Sequence, residues 1–279
     1  MKALKSTVSQ EISLSGVGIH TGQKVDLLLK PSSSGRMVFR RLDLGNMEME
    51  LDAWRVFPKR GTVLQIGPSR VMTLEHLLAT LYVFGIDSLT LELNGEEVPI
   101  MDGSASPFVK AVKEAGVSSL KIPKKEMRII KSARVEEGEA FVFFSPHKSL
   151  RITYTIEYDH PLIKRQEYSL ELNEESFARE IAPARTFGFL SEVPSLLKEG
   201  LARGGSLVNA VVLDEKGVIG GKLRFADEFV RHKIIDFVGD LSLLGHPLIG
   251  HFRGYKAGHS LHLKAVRFLL ENHEYWNVE

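Results

Sequence analysis

Three side chains that can bind a metal or transfer a proton recur at intervals of four in RHKIIDFVGDL, residues 231–241. On an α-helix His232, Asp236 and Asp240 would form one slowly drifting row, because residues four apart are neighbours on the helix surface. The other side of this helix is apolar, with Ile234, Phe237, Val238, Leu241 and Leu244. An ordinary surface helix shows the same division, but this polar row lacks the Lys, Glu and Gln neighbours of a solvated face.

A second candidate pair, Glu75 and His76, stands near the start of TLEHLLATLYVFG, a segment that is apolar almost throughout. A charged glutamate beside an apolar core needs a partner, a metal or a catalytic purpose. The chain has no cysteine, so the ligands of any transition metal must be histidine and carboxylate. Two histidines and one aspartate suffice for a catalytic zinc, with the fourth position left to water. His232 and Asp236 would supply two ligands from one helical turn, and His76 the third.

Five further residues are candidates for roles around such a metal. Glu75, next to a ligand, is a candidate base for the water proton. Asp240 lies too far along the row for easy coordination and suits the orientation of an imidazole. His259, in the loop segment GYKAGHS, is either a general acid held protonated by Asp240 or an ordinary loop histidine. APARTFGF offers Thr186 as a donor to an oxyanion and Phe187 as an apolar wall, although such a segment is also an ordinary strand or turn.

Composition limits the class of protein. The chain has 279 residues, which predicts about two domains at roughly 150 residues each. Its net charge of +1 disfavours binding to nucleic acid. No apolar run approaches the roughly 20 residues that span a bilayer, and the N-terminus lacks the apolar block of a signal peptide. We therefore expect a cytoplasmic protein without stable membrane insertion. A monomer is the expected oligomeric state.

Both halves of the sequence run from several strand-like segments into a largely apolar helix that ends at Gly85 or Gly245, followed by a strand and a further helix. Helices are predicted at residues 73–85, 106–116, 174–182, 225–245 and 261–273. Thr73 is the predicted N-cap of the first helix, and Gly85 its C′ residue. This weak repeat predicts an α+β fold of two similar domains, residues 1–122 and 127–279, each a sheet with helices on one face. Helices sandwiched between the two sheets would bury the polar row.

Eight segments together are specific to one family. In chain order they are SGVGIHTG, TLEHLLATL, GIDSLTLEL, VPIMDGSASPFV, ARTFGF, GGSLVNAVVL, RHKIIDFVGDLSLLG and KAGHSLHL. With them the chain resembles, nearly end to end, the UDP-3-O-acyl-N-acetylglucosamine deacetylases, the zinc amidases of lipid A biosynthesis in Gram-negative bacteria. The resemblance implies the same two-domain fold and UDP-3-O-acyl-N-acetylglucosamine as the substrate. It implies a Zn²⁺ site, whose ligands Fe²⁺ can also occupy, made of His76, His232 and Asp236.

The resemblance also implies roles for the other candidates. Glu75 corresponds to the general base, His259 to the general acid or electropositive partner with Asp240 behind it, and Thr186 to the oxyanion contact. The residues that match the family's substrate contacts are Lys233 and Lys256 near the sugar and diphosphate, Phe187 near the hexosamine and Tyr158 against the uracil.

The resemblance further implies that a β–α–β insert at about residues 190–212 forms a passage for the acyl chain. Its leucines Leu196, Leu197 and Leu201 recur at helical spacing with Leu190 and Val193, and Pro194 suits the first turn of a helix. Such a stripe is otherwise typical of an ordinary core. Two alternatives to the deacetylase remain at this stage: a zinc amidohydrolase of another acylated sugar, and a non-enzymatic module that binds nucleotide or RNA.

Overall fold

The computed structural model describes residues 3–279, and the first half of the chain forms one five-stranded sheet with two smaller sheets. Its strands are β1 Leu4–Val8, β2 Ile12–Val17, β3 Lys24–Pro31, β4 Met37–Arg41, β5 Met47–Glu50, β6 Val56–Pro58, β7 Thr62–Ile66, β8 Ser69–Val71, β9 Leu89–Leu93 and β10 Val117–Pro123. The main sheet has the order β2-β3-β9-β4-β5, β6 to β8 form a separate sheet, and β1 pairs with β10. In β3, Val25, Leu27 and Leu29 are buried while Lys24 and Asp26 are exposed, because successive side chains point to opposite faces.

The second half forms a seven-stranded sheet and a small three-stranded one. Its strands are β11 Met127–Ile129, β12 Ala133–Glu137, β13 Ala140–Ser145, β14 Leu150–Tyr158, β15 Lys164–Glu171, β16 Phe187–Phe189, β17 Val211–Leu213, β18 Val218–Ile219, β19 Leu248–Tyr255 and β20 Trp276–Val278. In the larger sheet β19 is central, since it pairs with β11, β13 and β14. The small sheet, in the order β16-β17-β18, stands apart as an insert.

The helices are α1 Glu75–Val83, α2 Ser106–Ala115, α3 Glu174–Ser176, α4 Val193–Lys198, α5 Glu228–Leu241 and α6 His259–Glu271. Helices α1 and α5 approach closely because Gly239 faces the start of α1, where an added Cβ would lie 2.3 Å from the Glu75 carbonyl oxygen. Their apolar residues join those of both sheets in one buried core. The predicted α+β fold with helices between the sheets is confirmed. Within residues 3–279, no helix is long and apolar enough to cross a membrane.

Three local predictions have different outcomes. Gly85 has φ 67° directly after the C-cap of α1, as predicted. The predicted N-cap role of Thr73 is wrong: Leu74 caps α1 without a side-chain bond, and the Thr73 hydroxyl donates to Glu97 instead. His259 is not a loop residue, because it begins α6 directly after the extended Gly258.

Candidate metal centre

The polar row of α5 lies inside the protein, against α1. His232, Asp236 and Asp240 are 2%, 3% and 0% exposed. A solvated helix face would leave such groups in water, so the alternative reading as a surface helix is wrong. Buried charges need partners, and the partners come from α1, α6 and strand β7.

The candidate ligands converge at this interface. One ligand atom each from His76, His232 and Asp236 lies within 4.8 Å of the others. The Nε2 atoms of His76 and His232 are 3.8 and 3.3 Å from Asp236 Oδ1. His232 Nδ1 donates to the Ala184 carbonyl at 3.1 Å, which leaves its Nε2 lone pair facing the cluster. Burial lowers the pKa of His76 to about 3, so this imidazole is neutral, the form that binds metals. The set of two nitrogens and one carboxylate fits a divalent transition metal.

Glu75 adds a carboxylate of unusual proton affinity beside this set. Burial raises the pKa of Glu75 to about 7. Its Oε2 accepts the backbone N–H of Thr62 at 2.9 Å. An added Cβ at Gly61 would lie 2.8 Å from Oε1, so only glycine lets this loop seat the carboxylate so closely. Ligand atoms of Glu75, Asp236 and His259 also lie within 4.8 Å of one another, and a pKa near neutrality suits a general base.

His259 faces the same cluster as a cation. Its Nδ1 donates to Asp240 Oδ2 at 2.7 Å, and Nε2 lies 3.9 Å from Asp236 Oδ2. Burial alone would lower the pKa of His259, but the Asp240 carboxylate outweighs it and raises the pKa to about 9. The Thr62 hydroxyl donates to the other oxygen of Asp240 at 2.5 Å. The centre therefore holds a base and a protonated imidazole side by side.

Of three other sequence candidates, Lys233 and Phe187 lie at the cluster, and Thr186 directly precedes Phe187 in the chain. Lys233 Nζ donates to Asp236 Oδ2 at 2.8 Å, so this lysine contacts a candidate ligand directly. The Thr186 amide donates to the Gly103 carbonyl at 2.7 Å, which joins the segment of Thr186 to the first half of the chain. The ring of Phe187 lies 6.4 Å from that of His232.

Tyr158 and Lys256 lie further out, at a surface cavity of about 630 Å³. The Tyr158 ring is 5.9 Å from that of Phe187, which connects the cavity to the edge of the centre. Lys256 forms an ion pair with Glu139 at 2.8 Å. Sequence reasoning missed two further basic residues of this cavity, Lys164 and Arg165; the basic run KRQ at the start of β15 was their only signal.

The leucine stripe divides into two environments. Leu197 on α4 is 48% exposed, whereas Leu201 beyond the helix is buried, at 4% exposed. Leu196 is half-buried, and Pro194 occupies the first turn of α4 as predicted. These leucines belong to the insert and not to the buried polar cluster.

Sequence reasoning also missed Thr62 and His262. Thr62 contacts Glu75, Asp240 and His259, but a lone threonine in TVLQI carries no signal of this. His262 donates to Asp240 from one turn beyond His259, and its spacing in GHSLHL was a usable signal.

The fold and the site together define a candidate metal-dependent hydrolase with two α+β halves. The family model of UDP-3-O-acyl N-acetylglycosamine deacetylase matches residues 5–271, and the chain belongs to this family of metalloenzymes. A UDP-3-O-acyl-N-acetylglucosamine deacetylase of Thermodesulfovibrio yellowstonii is 47% identical over 268 residues, which cover 96% of this chain and 92% of the relative. Relatives of the same description from Syntrophus aciditrophicus and Myxococcus xanthus are 43% and 46% identical, over 98% and 95% of this chain and 88% and 86% of their own.

Proposed function

We propose that the protein is a zinc-dependent amidase that removes the N-acetyl group of UDP-3-O-acyl-N-acetylglucosamine, giving acetate and the free 2-amino sugar for lipid A biosynthesis. The observation that carries the proposal is the buried cluster of His76, His232 and Asp236, flanked by a near-neutral Glu75 and a cationic His259. The names of the relatives, UDP-3-O-acyl-N-acetylglucosamine deacetylases, support the substrate.

Each residue of the centre has its own role in amide hydrolysis. His76, His232 and Asp236 would hold the zinc, which supplies a Lewis acid for the acetamide carbonyl and lowers the pKa of water. Glu75 accepts the proton of the attacking water, since its pKa near 7 makes it both ionised and basic at neutral pH. The cationic His259 and the Thr186 hydroxyl stabilise the oxyanion that develops on the amide. The leaving amine then takes a proton from Glu75 or His259.

The rest of the substrate is assigned to the surfaces around the centre. Lys256 and Tyr158 border a cavity that suits the diphosphate and uracil, and its further bases support an anionic ligand. Phe187 faces the hexosamine, with Lys233 near the sugar. The acyl chain follows the insert, where Leu196, Leu197 and Leu201 supply the apolar surface.

We also propose the two-domain division at residues 1–122 and 127–279. Two strand pairings support this division. The last strand of the first half, β10, pairs with its first strand, β1, and β11 at the start of the second half pairs with β19 and β20 of that half. The insert at about 190–212 falls inside the unit from β16 to β18. The proposed enzyme is a cytoplasmic monomer, and its net charge of +1 gives no broad attraction to nucleic acid.

Acetate release tests this function and separates it from the alternatives. The purified protein should release acetate from UDP-3-O-acyl-N-acetylglucosamine much faster than from UDP-N-acetylglucosamine or a simple acylated N-acetylglucosamine. A chelator should abolish the activity, and Zn²⁺ or Fe²⁺ should restore it. Preference for a sugar without UDP would favour the other amidohydrolase, whereas UDP binding without acetate release would favour the nucleotide-binding module.

A further inference from the structure

Asp240 accepts hydrogen bonds from two histidines, and only one of them has a part in the proposed reaction. His259 Nδ1 lies 2.7 Å from Asp240 Oδ2, and His262 Nδ1 lies 2.8 Å from the same oxygen. An ionised carboxylate can only accept, so each Nδ1 carries a proton. Together with the Thr62 hydroxyl on Oδ1, these bonds leave the carboxylate one orientation.

The opposite side of the His262 ring is held by Tyr154 of β14. The Tyr154 hydroxyl lies 2.7 Å from His262 Nε2 and 2.6 Å from the Ala257 carbonyl oxygen. Burial lowers the pKa of His262, so with its proton on Nδ1 the neutral ring has an accepting Nε2, and the hydroxyl has both acceptors within reach of its one proton. Tyr154 and His262 are both 0% exposed, so no water replaces these contacts. Ala257 precedes His259 by two residues. One hydroxyl therefore joins the ring that fixes Asp240 to the segment that carries His259.

We propose that His262 and Tyr154 are positioning residues, which hold Asp240 and the segment from Ala257 to His259 so that the imidazole of His259 presents Nε2 to the reacting amide. The proposal rests on the proposed deacetylase function. Neither residue reaches the substrate, because both side chains are fully buried. Both act on the reaction only through the orientation of His259.

Two substitutions at one position separate hydrogen bonding from packing. His262→Leu fills much of the ring's volume but removes the donor to Asp240. His262→Asn restores a side-chain N–H near the place of Nδ1. We expect His262→Leu to lower kcat about 10- to 100-fold, the range typical of outer partners that orient a working histidine. KM and metal content should stay unchanged, and His262→Asn should recover most of the loss.

Tyrosine substitutions supply a milder variant and its matched control. Tyr154→Phe removes only the hydroxyl and should lower kcat in the same direction as His262→Leu. Tyr82→Phe also removes one hydroxyl. That hydroxyl accepts a hydrogen bond from the Leu248 amide at 2.9 Å and lies away from the polar cluster. This control should keep the wild-type kcat even if it melts at a lower temperature.

Steady-state kinetics of these variants, with thermal unfolding measured in parallel, decides the question. In an Asp240→Ala background, His262→Leu should cause no further loss beyond about twofold, because residues that act through one group are not additive. An unchanged kcat in His262→Leu, equal damage in His262→Asn, or full additivity with Asp240→Ala would each overturn the positioning role. Absence of acetate release by the wild-type protein would instead refute the proposed function.

Discussion

Glu75 and Glu92 are almost equally hidden, at 5% and 6% exposed, yet their proton affinities move in opposite directions. Glu92 lies on the outer face of the first sheet, covered by Lys30 and Arg40 at 2.7 Å each. The hydrogen bond from Lys30, reinforced by Arg40, lowers the pKa of Glu92. Burial between the helix layers raises the pKa of Glu75, which has a backbone amide as its closest donor and the carboxylate of Asp236 nearby.

The difference shows that low exposure alone does not mark a functional carboxylate. Each charge beside Glu92 has an opposite partner, so that cluster is an ion-pair ladder on a sheet surface. Glu75 lacks such a pairing and lies within 4.8 Å of Asp236 and His259. General base catalysis requires a carboxylate whose pKa is shifted toward neutrality and whose charge is not neutralised by an ion pair.

The largest effect expected from this contrast is on turnover. Glu75→Ala and His259→Ala should retain metal but lose a factor of about 10² to 10⁴ in kcat, the usual contribution of a general acid or base. Steady-state acetate release and metal analysis of the same preparations measure both quantities. Glu92→Ala is the matched control and should turn over like the wild type. Wild-type turnover in Glu75→Ala and His259→Ala would remove both residues from the mechanism.

The pH dependence of kcat should be bell-shaped. Glu75 must be ionised, so the rate rises as pH passes its pKa, which burial sets at about 7 and which a bound cation would lower. His259 must be protonated, so the rate falls as pH passes the pKa that Asp240 raises to about 9. His259→Ala should abolish the alkaline limb and Glu75→Ala the acidic one. A limb that survives both substitutions would belong to a different group.

A smaller and more selective effect is expected on the insert. Leu197→Glu places a charge on a leucine that is 48% exposed, so it should raise KM for a long-chain substrate by about tenfold or more, given about 0.8 kcal/mol per buried methylene. A substrate with a truncated acyl group should be unaffected. Leu201→Ala would loosen the insert itself and affect both substrates. If Leu197→Glu also affects both substrates equally, or neither, the acyl chain follows another route.

The smallest effect is expected at Glu92 and its ion pairs with Lys30 and Arg40. Glu92→Gln should cost about 1 kcal/mol or less of unfolding free energy, because ion pairs near solvent contribute little. Since folding lowers the pKa of Glu92, this contribution is present above the unfolded pKa of about 4.3 and is lost as pH falls. Denaturant unfolding of wild type and Glu92→Gln at neutral and acidic pH measures it. A loss of turnover in Glu92→Gln would invalidate the comparison with Glu75.

Sequence patterns predicted the parts of the site that lie within one short segment of the chain. The spacing of His232 and Asp236 gave two candidate ligands, and the apolar arc of α5 predicted the buried side of the helix. The weak repeat and the family resemblance predicted the α+β fold with helices between the sheets. His76 was assigned to the same centre by its residue type, but Thr62, whose type is common and which stands in no motif, was missed although it meets Asp240 across 178 positions of sequence.

The failed prediction of a Thr73 cap has a physical cause. An N-cap rule assumes that the hydroxyl has no better partner, but Glu97 accepts it at 2.8 Å while Thr73 adopts φ 59°. The helical position of His259 was missed because the glycine before it resembles a loop signal. Gly258 instead provides the extended N-cap of α6.

The most direct test of the central claim is the zinc content per chain, measured together with acetate release, for wild type and four alanine variants. We predict about one zinc in the wild type and in Glu75→Ala, and strongly reduced zinc in His76→Ala, His232→Ala and Asp236→Ala. Acetate release should be lost in all four variants, by loss of metal in three and by loss of the base in one. Full zinc occupancy in any two of the three ligand variants would contradict the assignment of the centre.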